Sequence, residues 1–139
     1  MPVKIKEYVA VELSERDCAL VQRFLDWAGA HFGFTGKTTA LDLSKKENVN
    51  KIPEADVAFM FALLEVLEGK HHRIAEALMT GVKAKTIVAS FPRITIGGKR
   101  MAAQRRGWFE KMCERLNYSF KKMSFPNETF YVVEKPRHL

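Results

Sequence analysis

Two acidic residues, Glu12 and Asp42, stand where ligand chemistry is done. Each falls near the end of a β-rich stretch, Tyr8 to Leu13 and Thr38 to Leu43. In open α/β sheets, ligands bind beyond the carboxyl ends of the strands. A carboxylate after the second strand of a nucleotide-binding sheet commonly accepts hydrogen bonds from ribose hydroxyls. One after the third strand can hold an adenine amino group. Spacing alone ranks a plainer reading ahead, in which both are ordinary loop acids and Glu12 supports a helix N-terminus.

Other candidates are weaker. The segment Thr35-Gly36-Lys37-Thr38-Thr39 has the tail of a phosphate-binding P-loop, but the position of that motif's first glycine is His31. The segment is also expected to lead into a strand instead of following one. His71-His72 lacks carboxylate or cysteine partners at ligand spacing, which argues against a metal site. There is no nucleophile elbow and no Ser-His-Asp set. Cys18 and Cys113 have neither metal-binding nor redox spacing and read as thiols, which fits a cytosolic protein.

The elements that position these residues alternate. Ser14-Glu15-Arg16-Asp17 reads as a capping-box variant. Leu20, Val21, Phe24, Leu25 and Ala28 follow at helical spacing, and Gly29 and Gly33 close that helix. Ser44 to Lys51 is a polar loop or short helix, stopped by Pro53. Val57 to Phe61 is a continuous apolar run, as expected of a strand buried on both faces. Helical sequence, interrupted at Gly69, runs to about Thr80. Thr86 to Phe91 is a fourth strand, and a loop from Arg93 to Lys99 leads to a basic helix over Arg100 to Leu116. Tyr118 to Phe125 and Thr129 to Glu134 form an antiparallel hairpin about Pro126-Asn127.

This order predicts a single α/β domain over residues 1–139, with three layers and a mostly parallel sheet closed by an antiparallel hairpin. Val9, Val11, Leu41, Val57, Phe59, Phe61, Ile87, Val88, Val132 and Val133 are expected to be buried.

Composition narrows the partners. Of 139 residues, 47% are hydrophobic and 28% charged, which excludes disordered and collagen-like chains. No apolar run approaches the ~18 residues of a membrane span. Met1 to Lys6 has no apolar h-region, so secretion is not expected and a cytoplasmic location is. The formal net charge is +7, and Lys83 to Lys122 alone carries 11 basic and two acidic residues. A basic segment on a near-neutral remainder fits an anionic partner such as nucleic acid, and a solvated basic face equally.

A set of motifs adds to this. Ala40-Leu41-Asp42-Leu43, the run Glu54 to Glu68, Ile87 to Arg93 ending Ser90-Phe91-Pro92-Arg93, and Gly97-Gly98-Lys99 belong to it. So do Trp108-Phe109-Glu110 and Glu128 to Lys135. Together they resemble the C-terminal part of the 16S ribosomal RNA guanine-N7 methyltransferases that confer aminoglycoside resistance. The similarity covers about Tyr8 to Lys135. The Ser-Phe-Pro strand end followed by a Gly-Gly-basic loop is fairly specific. The rest is generic for S-adenosylmethionine-dependent methyltransferases.

The resemblance implies a Rossmann-like methyltransferase sheet, S-adenosylmethionine as cofactor, and ribosomal RNA or the small ribosomal subunit as partner. It assigns Glu12 to the cofactor ribose and Asp42, with the Leu43 backbone, to the adenine. Phe61, Ala62 and Leu63 would line the cofactor pocket. Arg93, Lys99, Arg100 and Met101 would lie in the loop facing RNA, with Arg105 and Arg106 behind them on the basic helix. No catalytic acid or base is implied, because guanine N7 has a free lone pair and no proton to remove. Phe59 to Ala62 stands where enzymes acting on exocyclic amines carry an Asn/Asp-Pro-Pro-aromatic motif, which argues against that chemistry.

Against the family pattern, the chain starts at what would be the second strand. The family's first strand, its Gly-rich turn and its helical N-terminal extension are therefore expected to be lacking. Two readings follow: part of a split or truncated enzyme completed by a separate N-terminal chain, or a non-catalytic RNA- or protein-binding module derived from the fold. A homodimer completing the sheet is a further form of the second.

Overall fold

The computed structural model describes residues 4–68, 72–94 and 107–136. The chain divides into two compact units, Met1–Pro53 and Glu54–Leu139.

The first unit is built from β1 (Glu7–Glu12), α1 (Glu15–Phe32), β2 (Thr35–Ala40) and a 3-10 helix (Lys46–Lys51). β1 and β2 pair in parallel, from Glu7 opposite Thr35 to Glu12 opposite Ala40, and α1 is their crossover. The capping residue is the one the sequence marks: Ser14 Oγ accepts from the Asp17 N–H at 3.3 Å. The helix ends at Gly33, whose φ of 82° is the left-handed conformation that glycine adopts without strain. Gly29 lies inside the helix, and a Cβ there would meet the Phe34 carbonyl oxygen at 2.4 Å. The P-loop-like segment is itself β2, so the second strand begins at Thr35 and ends at Ala40, earlier than expected.

Gln22 ties the helix to the strand. Its Nε2 donates to the Gly36 carbonyl at 2.9 Å, and its Oε1 accepts from the Thr38 N–H at 2.8 Å. The side-chain amide thus bonds β2 as the peptide of a neighbouring strand would. Thr38 Oγ1 adds a bond to the same Oε1 at 2.9 Å.

The second unit holds β3 (Val57–Phe61), α2 (Leu63–Glu68), α3 (His72–Gly81), β4 (Thr86–Pro92), α4 (Gly107–Arg115), β5 (Ser119–Ser124) and β6 (Glu128–Glu134). Its sheet has the order β3-β4-β6-β5. β3 and β4 are parallel, whereas β6 is antiparallel to both β4 and β5. The expectation of a mostly parallel sheet is therefore corrected. The strands form two sheets, and the larger is mixed, because the hairpin inserts β6 between β4 and β5.

One face of this sheet carries the core. Ile87, Ala89 and Phe91 stand opposite Val133, Tyr131 and Thr129, and all six are buried. The ring of Phe109 from α4 packs 5.2 Å from Phe91 and 5.0 Å from Tyr131. The Tyr131 hydroxyl donates to Glu110 Oε2 at 2.7 Å, so this buried phenol is satisfied. Leu64, Ala75, Leu78 and Met79 complete the helical side of the core. Cys18 and Cys113 are both buried and unpaired, as thiols.

The other face departs from expectation. Val57, Phe59 and Phe61 are 41%, 55% and 54% exposed, where a strand buried on both faces was expected. Val9, Val11, Leu41, Val88 and Val132 are only half-buried; of the residues expected in the core, Ile87 and Val133 are fully enclosed. An unbroken apolar run fits a strand buried on two faces, and equally one with a bare apolar face.

The bonds made by Gln22 yield the first test. Gln22→Ala frees two backbone groups of β2 and is expected to destabilise the protein by about 1–3 kcal/mol, read as a lower urea midpoint.

Candidate functional site

Glu12 is the last residue of β1, and its carbonyl accepts from the Leu41 N–H at 2.8 Å. That bond draws the chain leaving β2 alongside the end of β1. Glu12 and Asp42 therefore emerge at the same carboxyl edge of one parallel strand pair, with the N-terminus of α1 beginning at that edge. The structure places these two residues at one edge, with Asp42 two residues beyond the strand.

Asp42 is held by its own turn. Its Oδ1 accepts from the Ser44 hydroxyl at 2.6 Å and from the Ser44 N–H at 3.0 Å. These bonds favour the ionised form and hold its carboxyl below the usual carboxylate range. The Asp42 carbonyl accepts from Asn48 Nδ2 at 2.9 Å, which seats the 3-10 helix against the turn. Leu43 is half-buried within it.

In the second unit, Phe61, Ala62 and Leu63 occupy the carboxyl end of β3 and the start of α2. Ala62 has φ 53°, a left-handed conformation that costs an alanine about 1–2 kcal/mol. Two bonds from its N–H hold it there, to the Ser90 carbonyl and to Ser90 Oγ, both at 3.1 Å. Ser90 is 1% exposed. The sequence reading gave it no role, although a hydroxyl inside the otherwise apolar Ile87–Phe91 run was a signal. Strain of this kind concentrates where backbone must approach a ligand or turn sharply. Here the chain passes from strand to helix within one residue.

Arg93 follows β4 at the same carboxyl edge of the second sheet. Its N–H donates to the Asn127 carbonyl at 2.9 Å and its guanidinium to the Phe125 carbonyl at 2.6 Å. It thus fastens the start of its loop to the β5–β6 turn, a structural duty the sequence reading missed. Lys99, Arg100, Met101, Arg105 and Arg106 lie outside the described residues.

Among the described residues, other cations of the basic segment are placed as follows. Lys121 and Lys122 are neighbours on β5 and so project from opposite faces. Lys122 Nζ stands 3.4 Å from Glu110, and Lys111 lies exposed on α4. Among the described residues no group of His, Cys, Asp and Glu is placed to hold a metal ion. A groove lined by Tyr118, Glu134 and Lys135 lies at the amino ends of β4 and β5, the end of this sheet opposite Ala62 and Arg93.

No protein-family model and no curated protein sequence matches the chain. Solved structures do. The chain is similar to the 16S rRNA methylase ArmA, at 23% identity and TM-score 0.62, over 92% of this chain and 61% of that one. It is similar to the 16S rRNA methyltransferase RmtF, solved with S-adenosyl-L-homocysteine, at 22% identity and TM-score 0.61, over 96% of this chain and 56% of that one. An rRNA methylase from Escherichia coli matches at 18% identity and TM-score 0.64, over 94% of this chain and 57% of that one. The likeness establishes a methyltransferase-like fold, and the chain spans 56–61% of these structures.

The strained turn can be tested directly. Ala62→Gly is expected to raise stability by about 1 kcal/mol, because glycine adopts this φ freely. Ser90→Ala is expected to lower it by about 1 kcal/mol through loss of one of the two bonds. Urea midpoints of the two variants, moving in opposite directions, are the readout.

Proposed function

We propose that the chain is the adenosine-holding and RNA-facing portion of an S-adenosylmethionine-dependent ribosomal RNA methyltransferase, of the kind that modifies guanine N7 in 16S RNA. The observation that carries this reading is Glu12 and Asp42 at one carboxyl edge of a parallel strand pair, in a chain of methyltransferase-like fold.

The residues present fit the adenosine half of the cofactor. Its ribose hydroxyls and adenine amine are donors, and the two carboxylates are acceptors. Glu12 takes the ribose and Asp42, beside the Leu43 backbone, takes the base. Asp42 Oδ1 is engaged by Ser44, which leaves Oδ2 for an incoming donor. Phe61, Ala62 and Leu63 are assigned apolar contact with the cofactor. The residues that meet its methionine half are assigned to an N-terminal portion of the enzyme, in this polypeptide or in a separate chain. The bound cofactor would supply a methyl group on a sulfonium centre.

The protein's part in the reaction is placement. Guanine N7 presents its lone pair without losing a proton, so no side chain need act as acid or base. Holding the base in line with the methyl group supplies much of the rate. Lys99, Arg100, Met101, Arg105 and Arg106 are assigned to the RNA, with Arg93 anchoring the loop from which they come. A ribosomal substrate places the protein in the cytoplasm.

A second reading is a non-catalytic binding module for RNA or protein. The exposed Phe59 and Phe61 on β3 favour it. Calorimetry with S-adenosylhomocysteine separates the two, using the full chain with and without a candidate N-terminal partner. Binding in either arm supports the enzyme, and none in both leaves the module. Where binding is seen, Asp42→Ala is expected to weaken it by about 1–3 kcal/mol, the cost of an unsatisfied polar partner.

RNA binding has its own signature. If about four cations touch phosphates, log affinity against log salt should slope at roughly −3 for single strands, at ~0.7 per contact. The double variant Lys99→Glu with Arg100→Glu is expected to flatten that slope by about 1.4. A slope unchanged by the pair would mark the charge as a solvated face.

A further inference from the structure

Helix α1 has two apolar sides. The inner side packs on its strands. Cys18, Leu25, Ala28 and Gly29 are buried there, and Leu25 stands over Gly36, where an added Cβ would meet the Leu25 Cβ at 2.6 Å. The second side is a stripe. Leu20, Phe24, Trp27 and His31 follow one another at steps of four, three and four residues, which keeps them in line along a helix. At 3.6 residues per turn the stripe stands roughly 150° around the helix from Cys18, Leu25 and Gly29. It therefore faces away from the β1–β2 pair. Another helix laid beside α1 on that sheet would meet its flank and leave the stripe bare.

The stripe is in solvent. Leu20, Phe24 and Trp27 are 66%, 61% and 58% exposed, and His31 is exposed. Its rings form one surface. Trp27 stacks on His31 at 5.4 Å, Phe24 lies 6.0 Å from Trp27, and the exposed Phe32 meets Trp27 edge-on at 6.4 Å. The solvent side of a helix is ordinarily polar. Leu20, Phe24 and Trp27 alone expose roughly 400 Å², within the range of patches that mark interaction sites.

Three features say what covers it. Steps of four and three are the spacing by which one helix packs along another. The helix offers no net charge to an ionic partner, since Arg16 and Arg23 are matched by Asp17 and Asp26, so a nucleic acid fits poorly. The stripe also complements itself. We propose that it pairs with the same stripe of a second copy of this chain, the two α1 helices running antiparallel about a two-fold axis between Phe24 and Trp27.

In that register Phe24 meets the partner's Trp27, and Leu20 meets the partner's His31. Arg23 falls beside the partner's Ala30, so no like charges meet. Parallel pairing would set Asp17 against Asp17 and His31 against His31 within the contact, which disfavours it. With His31, Phe32 and the flanking side chains included, two copies bury roughly 1,000 Å² in all. That is the lower bound for a specific interface and fits a reversible dimer. The helix N-termini then lie at opposite ends, roughly 35 Å apart at 1.5 Å per residue. The Glu12 and Asp42 edges sit at those N-termini and stay open. The dimer is thus independent of the cofactor and RNA chemistry proposed above, and it uses neither sheet edge.

The test is sedimentation of the full chain over a range of concentrations. A reversible monomer–dimer equilibrium is expected. Trp27→Glu and Phe24→Asp each place a charge in the contact at an exposed position, and each is expected to raise the dissociation constant by about a hundredfold or more. Arg16→Glu, outside the contact, is expected to leave it unchanged. A short bis-maleimide reads the orientation, with the unsubstituted chain and its two buried cysteines as the control. Leu20→Cys mixed with His31→Cys should cross-link one to the other, and neither should cross-link to itself. A chain that stays monomeric at about 1 mM would overturn the proposal. So would a dimer indifferent to both charged variants while these keep native circular dichroism, or cross-links joining position 20 to itself.

Discussion

The constraint on which this structure turns is that a β-strand has two edges and every peptide group on them needs a partner. A buried N–H or C=O left unpaired costs about as much as a lost hydrogen bond, so each edge must be paired, covered or left to water. The two sheets meet this demand by different means. In the first, the amide of Gln22 covers one side of β2. In the second, the hairpin folds back so that β6 pairs on both sides, with β4 and with β5. The order of the second sheet follows from that choice, and with it the position of Tyr131 at the centre of the buried face.

The buried face is organised by aromatic rings that meet at steep angles. Phe91 stands edge-on to Trp108, Phe109 and Tyr131, with centroids 5.9, 5.2 and 5.9 Å away. Such edge-to-face contacts prefer one mutual orientation, so they fix how α4 lies on the sheet as well as that it does. The bond from Tyr131 to Glu110 adds a polar pin to this apolar contact.

Much of this was legible in the residues. The N-cap at Ser14, the hairpin about Pro126-Asn127 and the strand from Thr86 to Phe91 all follow from local chemistry acting over a few positions. What local pattern could not convey was pairing. Val57–Phe61 reads as a two-sided core strand because apolar composition reports what a strand tolerates, and its neighbours decide what it buries. The P-loop-like Thr35–Thr39 became a strand because α1 and β1 hold it there. The grouping of Glu12 with Asp42 was legible, since it needs only that two strands be parallel. The coupling of Ser90 to Ala62 was not, because it joins residues 28 positions apart across a strand pair.

The turn at Asp42 has a consequence for the timing of entropy loss. A free carboxylate samples several rotamers, and a ligand that needs one of them must freeze the rest, at about 0.5–1.5 kcal/mol for an immobilised side chain. Ser44 grips Asp42 Oδ1 with two bonds, so that freezing belongs to folding. Any donor arriving at Oδ2 meets a group already aimed. Ser44, which need never touch the ligand, would then act on how strongly it is held by deciding when disorder is given up.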